Sequence, residues 1–231
     1  MRSGVAVAIA AVLVTAASSY FAFRPERSGQ VAFWLVAGAP AIALGSVAAA
    51  WARQKDSLRE WLQPQWGDFT RGVVGAVLLF GVSWALARSV APVGSPHEIW
   101  LVSVYAQLGD PRALRAHAPI VAVAVVSVVL AEEILWRGVV TQVLAQKVGS
   151  RAAWLWAAAL YAIAYLPTAW SLLAGAGGEG GLNPVVVAAA LGGGLLWGGM
   201  ARAFGRLFPS VLAHALFDWA VVMMFPLWGV R

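Results

Sequence analysis

The chain contains no cysteine, which excludes disulfides, thiolate nucleophiles and cysteine-ligated metals. Charge is also scarce, because only 11% of the 231 residues are Asp, Glu, Lys or Arg, against roughly 25% in soluble domains. With 61% apolar residues, the chain lacks the polar side chains needed to cover a compact fold in water. An ordinary soluble domain is therefore excluded.

Basic residues outnumber acidic ones, and the formal net charge is +6. The arginines stand singly or in pairs between apolar runs, and no stretch forms a continuous basic patch. This distribution argues against nucleic acid as a partner. It favours loop residues that anchor the chain to anionic lipid headgroups, so membrane lipid is the expected partner.

Long apolar runs are what the chain has in abundance. Stretches of about 20 apolar residues predict membrane-spanning helices, and continuous rather than alternating apolarity favours helices over strands. We predict an all-α integral membrane protein with about seven transmembrane helices in one bundle. The predicted spans are 5–23, 31–51, 72–87, 119–136, 154–173, 185–204 and 207–227.

The segments between the spans carry most of the charge. Residues 52–71 are predicted to form an interfacial loop or a short surface helix, and residues 88–118 a longer polar connection. Residues 139–148 are expected to continue the fourth span as an amphipathic helix, and the fifth span to bend near Pro167.

We expect one structural domain. Residues 1–118 would supply N-terminal helices and interfacial loops, and residues 119–227 the core with the polar side chains. The first apolar run also has features of a signal peptide, since Arg2 precedes it and residues 16–18 are small. A retained helix is favoured because the run continues through Phe23. The expected location is the cell membrane, as a multi-pass protein of the bacterial inner membrane.

Few ionisable residues lie within or beside the predicted spans, and each costs at least about 2.5–3.5 kcal/mol at the centre of a membrane helix. They are Glu132, Glu133, Arg137, His214 and Asp218. Glu133 and Arg137 are four residues apart, so Arg137 can neutralise Glu133 on one helix face. Glu132 is left without a local partner, which suits a general base. The alternatives are a structural Glu133–Arg137 pair at the membrane boundary and an interfacial, solvated Glu132.

Two further pairs share a helix face at four-residue spacing. Asp218 would orient the His214 imidazole, or both side chains would point into one cavity that binds water, a metal ion or a carbonyl oxygen. Tyr161 and Tyr165 offer hydroxyl donors in the fifth span. The alternatives are a structural histidine and interfacial tyrosine packing.

These residues resemble the motifs of a known family. The run from Glu132 to Gly138, EEILWRG, matches the EExxxR motif of the CAAX-protease and bacteriocin-processing (CPBP, or Abi) membrane proteins. His214 and Asp218, with the sequence leading to them from Gly198, resemble its last motif, HxxxN or HxxxD. The resemblance covers roughly residues 119–225, and residues 1–118 carry no matching motif.

The resemblance implies an intramembrane endopeptidase. By position, Glu132 would be the general base that activates water, with Glu133 and Arg137 as its supporting pair. His214 and Asp218 would stabilise the oxyanion. Asp218 replaces the commoner Asn of that motif, and a carboxylate near an oxyanion repels it unless it is protonated or paired with His214.

The sequence departs from the family at its middle motif, FxxxH. Tyr161 aligns with the Phe and Tyr165 with the expected His. A tyrosine donates a hydrogen bond but is a poor base at neutral pH. Three interpretations remain: a Glu132-centred enzyme with Tyr165 as donor, an enzyme that recruits His97 or His117, and an inactive relative that binds substrates without cutting them.

The cofactor is open at this stage. A divalent metal such as zinc would have Glu132 and His214 as ligands, with Asp218 as a third, which is a weaker set than that of a relative with two histidines. The expected substrate is a membrane-tethered or C-terminally tailed protein or peptide. The rivals are a non-catalytic membrane scaffold or immunity factor and a small transporter. The transporter is disfavoured because no repeat pairs the two halves.

Overall fold

The computed structural model describes residues 2–175 and 181–227 of the chain. Within these ranges every regular element is helical, and six helices are long and apolar enough to cross a membrane. They are Val5–Ala22, Val31–Gln54, Asp68–Val90, Ala118–Val148, Ala153–Leu172 and Pro184–Phe204. A shorter apolar helix, Phe208–Met224, follows them. The predicted all-α membrane bundle of about seven helices is thereby confirmed.

The helices are numbered in chain order. They are α1 (Arg2–Ala22), α2 (Val31–Gln54), α3 (Ser57–Leu62), α4 (Asp68–Val90), α5 (Glu98–Leu108), α6 (Pro111–Ala116), α7 (Ala118–Glu132), α8 (Thr141–Val148), α9 (Ala153–Ala164), α10 (Leu166–Gly175), α11 (Pro184–Phe204) and α12 (Phe208–Trp219). A short 3₁₀ turn occupies Pro25–Arg27, and π-helical segments occupy Glu133–Val140 and Ala220–Met224.

Two predicted bounds were wrong. The third span was predicted as 72–87, but α4 runs from Asp68 to Val90, because ion pairs keep its charged first turn helical at the membrane boundary. The connection 88–118 was predicted as a polar link, yet it folds into α5 and α6. Asp110 caps the second of these by accepting a hydrogen bond from the Arg112 N–H.

The fourth span is a continuous helix from Ala118 to Val148 with π-helical turns at its centre. The predicted span 119–136 and its amphipathic continuation are parts of this one element. The fifth span breaks at Tyr165, close to the bend predicted at Pro167, because Pro167 has no N–H to donate to the Ile163 carbonyl and so cannot continue the helix.

Hydrogen bonds between loops define two faces of the bundle. At the first, here called the Trp61 face, the Leu207 N–H donates to the Trp61 carbonyl over 2.8 Å, and Arg202 donates to the Arg151 carbonyl. At the second, called the Tyr105 face, the Gly29 N–H donates to the Gln107 carbonyl over 3.2 Å. Successive spans therefore run in alternating directions between these faces.

Small residues bring the helices into close contact. A Cβ atom placed on Gly45 of α2 would overlap the Cα and Cβ atoms of Ala131 in α7. The buried core around this contact contains Ala48, Ala52 and Ile134. Large apolar side chains on the outer surfaces of the spans are exposed, as expected for helices that face lipid. The crossing of α2 and α7 fixes the backbone immediately before Glu132.

Candidate active site

Glu132 ends α7 at the centre of the longest span and is partly buried. The Tyr161 hydroxyl, on α9, donates to Glu132 Oε2 over 2.9 Å. Among the described residues no donor bonds the other carboxylate oxygen, Oε1. Glu132 is therefore held by one oxygen, and the second remains available to a water or a substrate.

Glu133 lies behind Glu132 and is fully buried. Its Oε1 atom is 3.1 Å from Arg137 Nη1 and 3.0 Å from His214 Nδ1. The carboxylate thus joins the π-helical segment to α12. A buried carboxylate requires such partners. Arg137 neutralises Glu133 within its own segment, and the contact with His214 joins this segment to α12.

Aromatic rings complete the surroundings of Arg137. Its guanidinium carbon lies 4.8 Å from the Tyr161 ring centroid and 5.1 Å from that of Trp197. Both distances fall in the range of cation–π contacts. The same arginine therefore neutralises Glu133 and packs against the tyrosine that orients Glu132.

His214 is buried and held from three directions. Trp197 stacks on its ring with centroids 3.5 Å apart and an interplanar angle of 17°. His214 Nδ1 faces Glu133, and Nε2 lies 3.5 Å from Asp218 Oδ2. With Nδ1–H donating to Glu133, the contact with Asp218 is attractive only if a proton lies on Nε2 or on Oδ2.

A cavity of about 320 Å³ connects these groups. Its polar lining contains Glu132, Tyr161, Tyr165, His214 and Asp218, whereas Glu133 and Arg137 are absent from it. The rest of the lining is mainly apolar and extends to Phe23 and Val104 near the Tyr105 face. The structure thus brings the predicted residues together in two layers, one facing the cavity and one supporting it from behind.

Tyr165 stands in the cavity beside Tyr161, with the two hydroxyl oxygens 3.5 Å apart. Neither His97 nor His117, which the sequence offered as substitutes for the missing histidine, lines this cavity. His97 is exposed, stacks on Trp100 and contacts the Val90 carbonyl through Nδ1. Tyr165, which the sequence comparison aligned with the expected histidine, thus lines the cavity itself.

The donor set does not fit a tightly bound metal. In residues 2–175 and 181–227 no group of three or more His, Asp or Glu side chains is arranged to hold an ion. Glu132 and His214 were the predicted ligands, but Tyr161 already bonds Glu132, and both nitrogens of His214 face carboxylates. A zinc site would require three or four such ligands around one point.

Residues 114–220 match the model of a family described as Rce1-like, Type II CAAX prenyl endopeptidase Rce1-like. The match supports membership of this part of the chain in the CAAX-protease-like family. The matched stretch covers nearly half of the chain and contains all the residues of the two layers. Searches of curated proteins and of solved structures give no match.

Sequence reasoning missed Trp197, which packs against His214 in the candidate site. Tryptophan usually marks the ends of membrane spans, but Trp197 is buried well inside α11. Its position within the span could have identified it from the sequence, because a tryptophan away from the membrane interface needs a packing partner. The partner is the imidazole of His214.

Proposed function

We propose that the chain is an intramembrane endopeptidase in which Glu132 activates the attacking water. The observation that carries this proposal is the position of Glu132, which faces a membrane-embedded cavity with one oxygen held by Tyr161 and the other available. Family membership supports a protease-like role for the core.

The proposed reaction begins with a water hydrogen-bonded to Glu132 Oε1. Glu132 takes a proton from the water as its oxygen forms a bond to the scissile carbonyl carbon, and the carbonyl π electrons move to the carbonyl oxygen. The tetrahedral intermediate collapses when the C–N bond breaks and the proton on Glu132 passes to the leaving nitrogen. The products are a free amine and a carboxylic acid terminus, which then releases its proton to water and becomes a carboxylate.

Stabilisation of the oxyanion is assigned to two donors in the lining of the same cavity. The Tyr165 hydroxyl is a neutral donor, and His214 contributes an Nε2–H when it is protonated. Asp218 Oδ2 lies 3.5 Å from His214 Nε2 and can accept from that N–H. Donors fixed before the reaction stabilise developing charge without reorganising, and stacking on Trp197 fixes the His214 ring.

The shape of the cavity suggests the class of substrate. Apolar side chains form most of its lining, and it lies within the membrane-spanning part of the bundle. A peptide segment carried on an apolar anchor would reach Glu132 without leaving the bilayer. We therefore propose a membrane-tethered or C-terminally tailed protein as substrate and a bacterial inner membrane as the location.

The deciding experiment is cleavage by Glu132→Gln. The amide keeps the size of the side chain but cannot accept a proton from water, so cleavage of membrane-tethered peptides should fall by about 10²–10⁴-fold. The rate should be measured with purified protein in lipid vesicles, with and without a chelator. Glu60→Gln makes the same change on the exposed surface of α3 and should leave the rate unchanged.

Full activity of a folded Glu132→Gln protein would reject the mechanism. Chelator-insensitive cleavage that depends on Glu132 would support the metal-free route. Chelator-sensitive cleavage would show that a metal takes part.

A second candidate function is a non-catalytic relative that binds membrane proteins as a scaffold or immunity factor. Tyr165, in place of the family's histidine, is the observation that favours it. This candidate predicts that the folded wild type cleaves nothing yet retains peptides in the cavity. Binding that persists in Glu132→Gln without turnover of the wild type would favour it over the enzyme.

A further inference from the structure

A second cavity, of about 510 Å³, lies between α1, α2 and the helix that contains α8. It is called the lysine groove here, and the residues that carry the argument are Leu44, Val47, Trp51, Lys55, Leu135 and Lys147. Its remaining lining is apolar apart from Gln146. The groove is separate from the catalytic cavity, and no role has yet been assigned to it.

The two lysines of the groove are the only lysines in the chain. Lys55 follows the last residue of α2, and Lys147 lies in the last turn of α8, so both stand at the Trp61 face. Both are exposed, and neither forms an ion pair with a carboxylate among the described residues. The mouth of the groove therefore carries two unneutralised positive charges.

The length of the groove matches one leaflet. Leu44 at its inner end and Lys55 at its mouth are eleven residues apart on α2, which corresponds to about 16 Å along a helix. Half of a hydrocarbon core of about 30 Å is about 15 Å. An acyl chain that enters beside the lysines would therefore end near the middle of the bilayer.

The inner end of the groove borders the catalytic cavity. Leu44 and Leu135 line both cavities and form a shared wall between them. A chain lying in the groove would end at this wall and would not reach Glu132. The geometry fits a resident lipid better than the substrate of the catalytic site.

We propose that the lysine groove binds an anionic glycerophospholipid. One acyl chain lies along α2, and the headgroup phosphate lies between Lys55 and Lys147. Trp51 supports this arrangement, because the Lys55 ammonium lies 4.9 Å from its ring centroid, which places an aromatic ring and a cation together at headgroup depth. Zwitterionic lipids lack the net negative charge that the two ammonium groups would neutralise.

The test is native mass spectrometry of the purified full chain released from vesicles of phosphatidylglycerol and phosphatidylcholine in equal amounts. The wild type should retain one phosphatidylglycerol in preference to phosphatidylcholine. The Lys55→Gln/Lys147→Gln variant should lose this preference by on the order of tenfold, because each lysine near an anionic surface contributes on the order of 1 kcal/mol.

Two further variants separate a groove from general surface attraction. Arg53→Gln/Arg59→Gln removes the same charge from the same face at residues outside the groove, and it should retain the lipid. Val47→Trp places a large ring at an exposed position on the groove wall and should reduce binding of the acyl chain. Equal loss in the two charge variants, or unchanged binding in the lysine variant, would overturn the proposal. Because lipid retention is measured without turnover, its failure is distinguishable from failure of the proposed protease.

Discussion

At the scale of single residues, the site depends on which atoms already have partners. Glu133 is fully buried and contacts Arg137 and His214 through one oxygen, whereas Glu132 lines the cavity and keeps one oxygen without a protein donor. Two adjacent glutamates with the same side chain thus differ in their contacts and in their access to the cavity. These differences follow from tertiary contacts, since the partners come from α9 and α12.

Tyr165 supplies the residue-scale prediction. Removing its hydroxyl with Tyr165→Phe should lower the cleavage rate by about 10²-fold, the typical loss when one oxyanion donor is deleted. Tyr165→His should retain activity, because an imidazole N–H donates from the same position. Rates on one tethered peptide would be compared, with Tyr20→Phe as a hydroxyl deletion outside the cavity.

A Tyr165→Phe protein that cleaves as fast as the wild type would contradict this role. A wild type that is inert beside an active Tyr165→His protein would instead favour the non-catalytic relative.

At the scale of helices, the spacing of residues predicted a side-chain contact in the site but not the backbone geometry of the segment that carries it. Four-residue spacing placed Glu133 beside Arg137, and the two side chains are in contact. The segment is nevertheless π-helical, and no pattern in an apolar run distinguishes a π turn from an α turn. The contact between His214 and Glu133, 81 residues apart, also lies beyond periodicity. The resemblance brought the two motifs into one site but did not predict this contact.

Bounds of the spans were predictable to within a few residues where charge ends the apolar run. The predicted bounds were wrong at α4, because charged residues such as Asp68 and Arg71 are typical of loops. The sequence did not show that Arg206 forms an ion pair with Asp68. The bounds were wrong again at α5, where tertiary contacts support a helix in a segment rich in proline and polar residues. One such contact comes from the buried Asn183, whose side chain donates to the Trp100 carbonyl of α5 over 2.9 Å.

The contact of α2 with α7 gives the element-scale prediction. Gly45→Ala adds a methyl group that overlaps the backbone of Ala131, and overpacking of this kind costs about 1–3 kcal/mol. Because Ala131 precedes Glu132, the displaced helix should also reduce cleavage. Thermal unfolding and the cleavage rate would be measured on the same preparation.

Gly192→Ala is the matched control in α11. A Cβ at that position meets no atom within 4 Å, and alanine is the better helix former. This protein should unfold at the same or a slightly higher temperature. A Gly45→Ala protein that unfolded at the same or a higher temperature would show that α2 and α7 can move apart without loss of stability.

At the scale of the whole molecule, hydrogen bonds at each face connect parts of the chain that are distant in sequence. At the Tyr105 face, the Tyr105 hydroxyl donates to the Val221 carbonyl over 3.0 Å and accepts from the Leu227 N–H over 2.8 Å. Burial raises the pKa of Tyr105 to about 12, so the phenol stays a neutral donor at ordinary pH. The two hydrogen bonds of this hydroxyl connect α5 to the π-helical segment Ala220–Met224 and to Leu227 just after it.

Asp68 is the corresponding connection at the Trp61 face and carries the last prediction. Its carboxylate accepts from Arg206 Nε over 3.0 Å and Nη2 over 2.5 Å, and from Arg71 over 3.0 Å. The hydrogen bonds to Asp68 also raise the pKa of Arg206, so this cation stays charged. Asp68→Asn would leave that largely buried guanidinium without its anion and should cost about 2 kcal/mol.

For a chain of this size, such a loss lowers the unfolding midpoint by about 4–8 °C. Asp56→Asn is the matched control. Asp56 is exposed and has a positive φ of 58°, a conformation that asparagine tolerates as well as aspartate. An unchanged midpoint in Asp68→Asn would mean that helix packing alone holds α4 against α12. A fall confined to Asp68→Asn would show that this face depends on a polar connection between two spans, one of which carries His214.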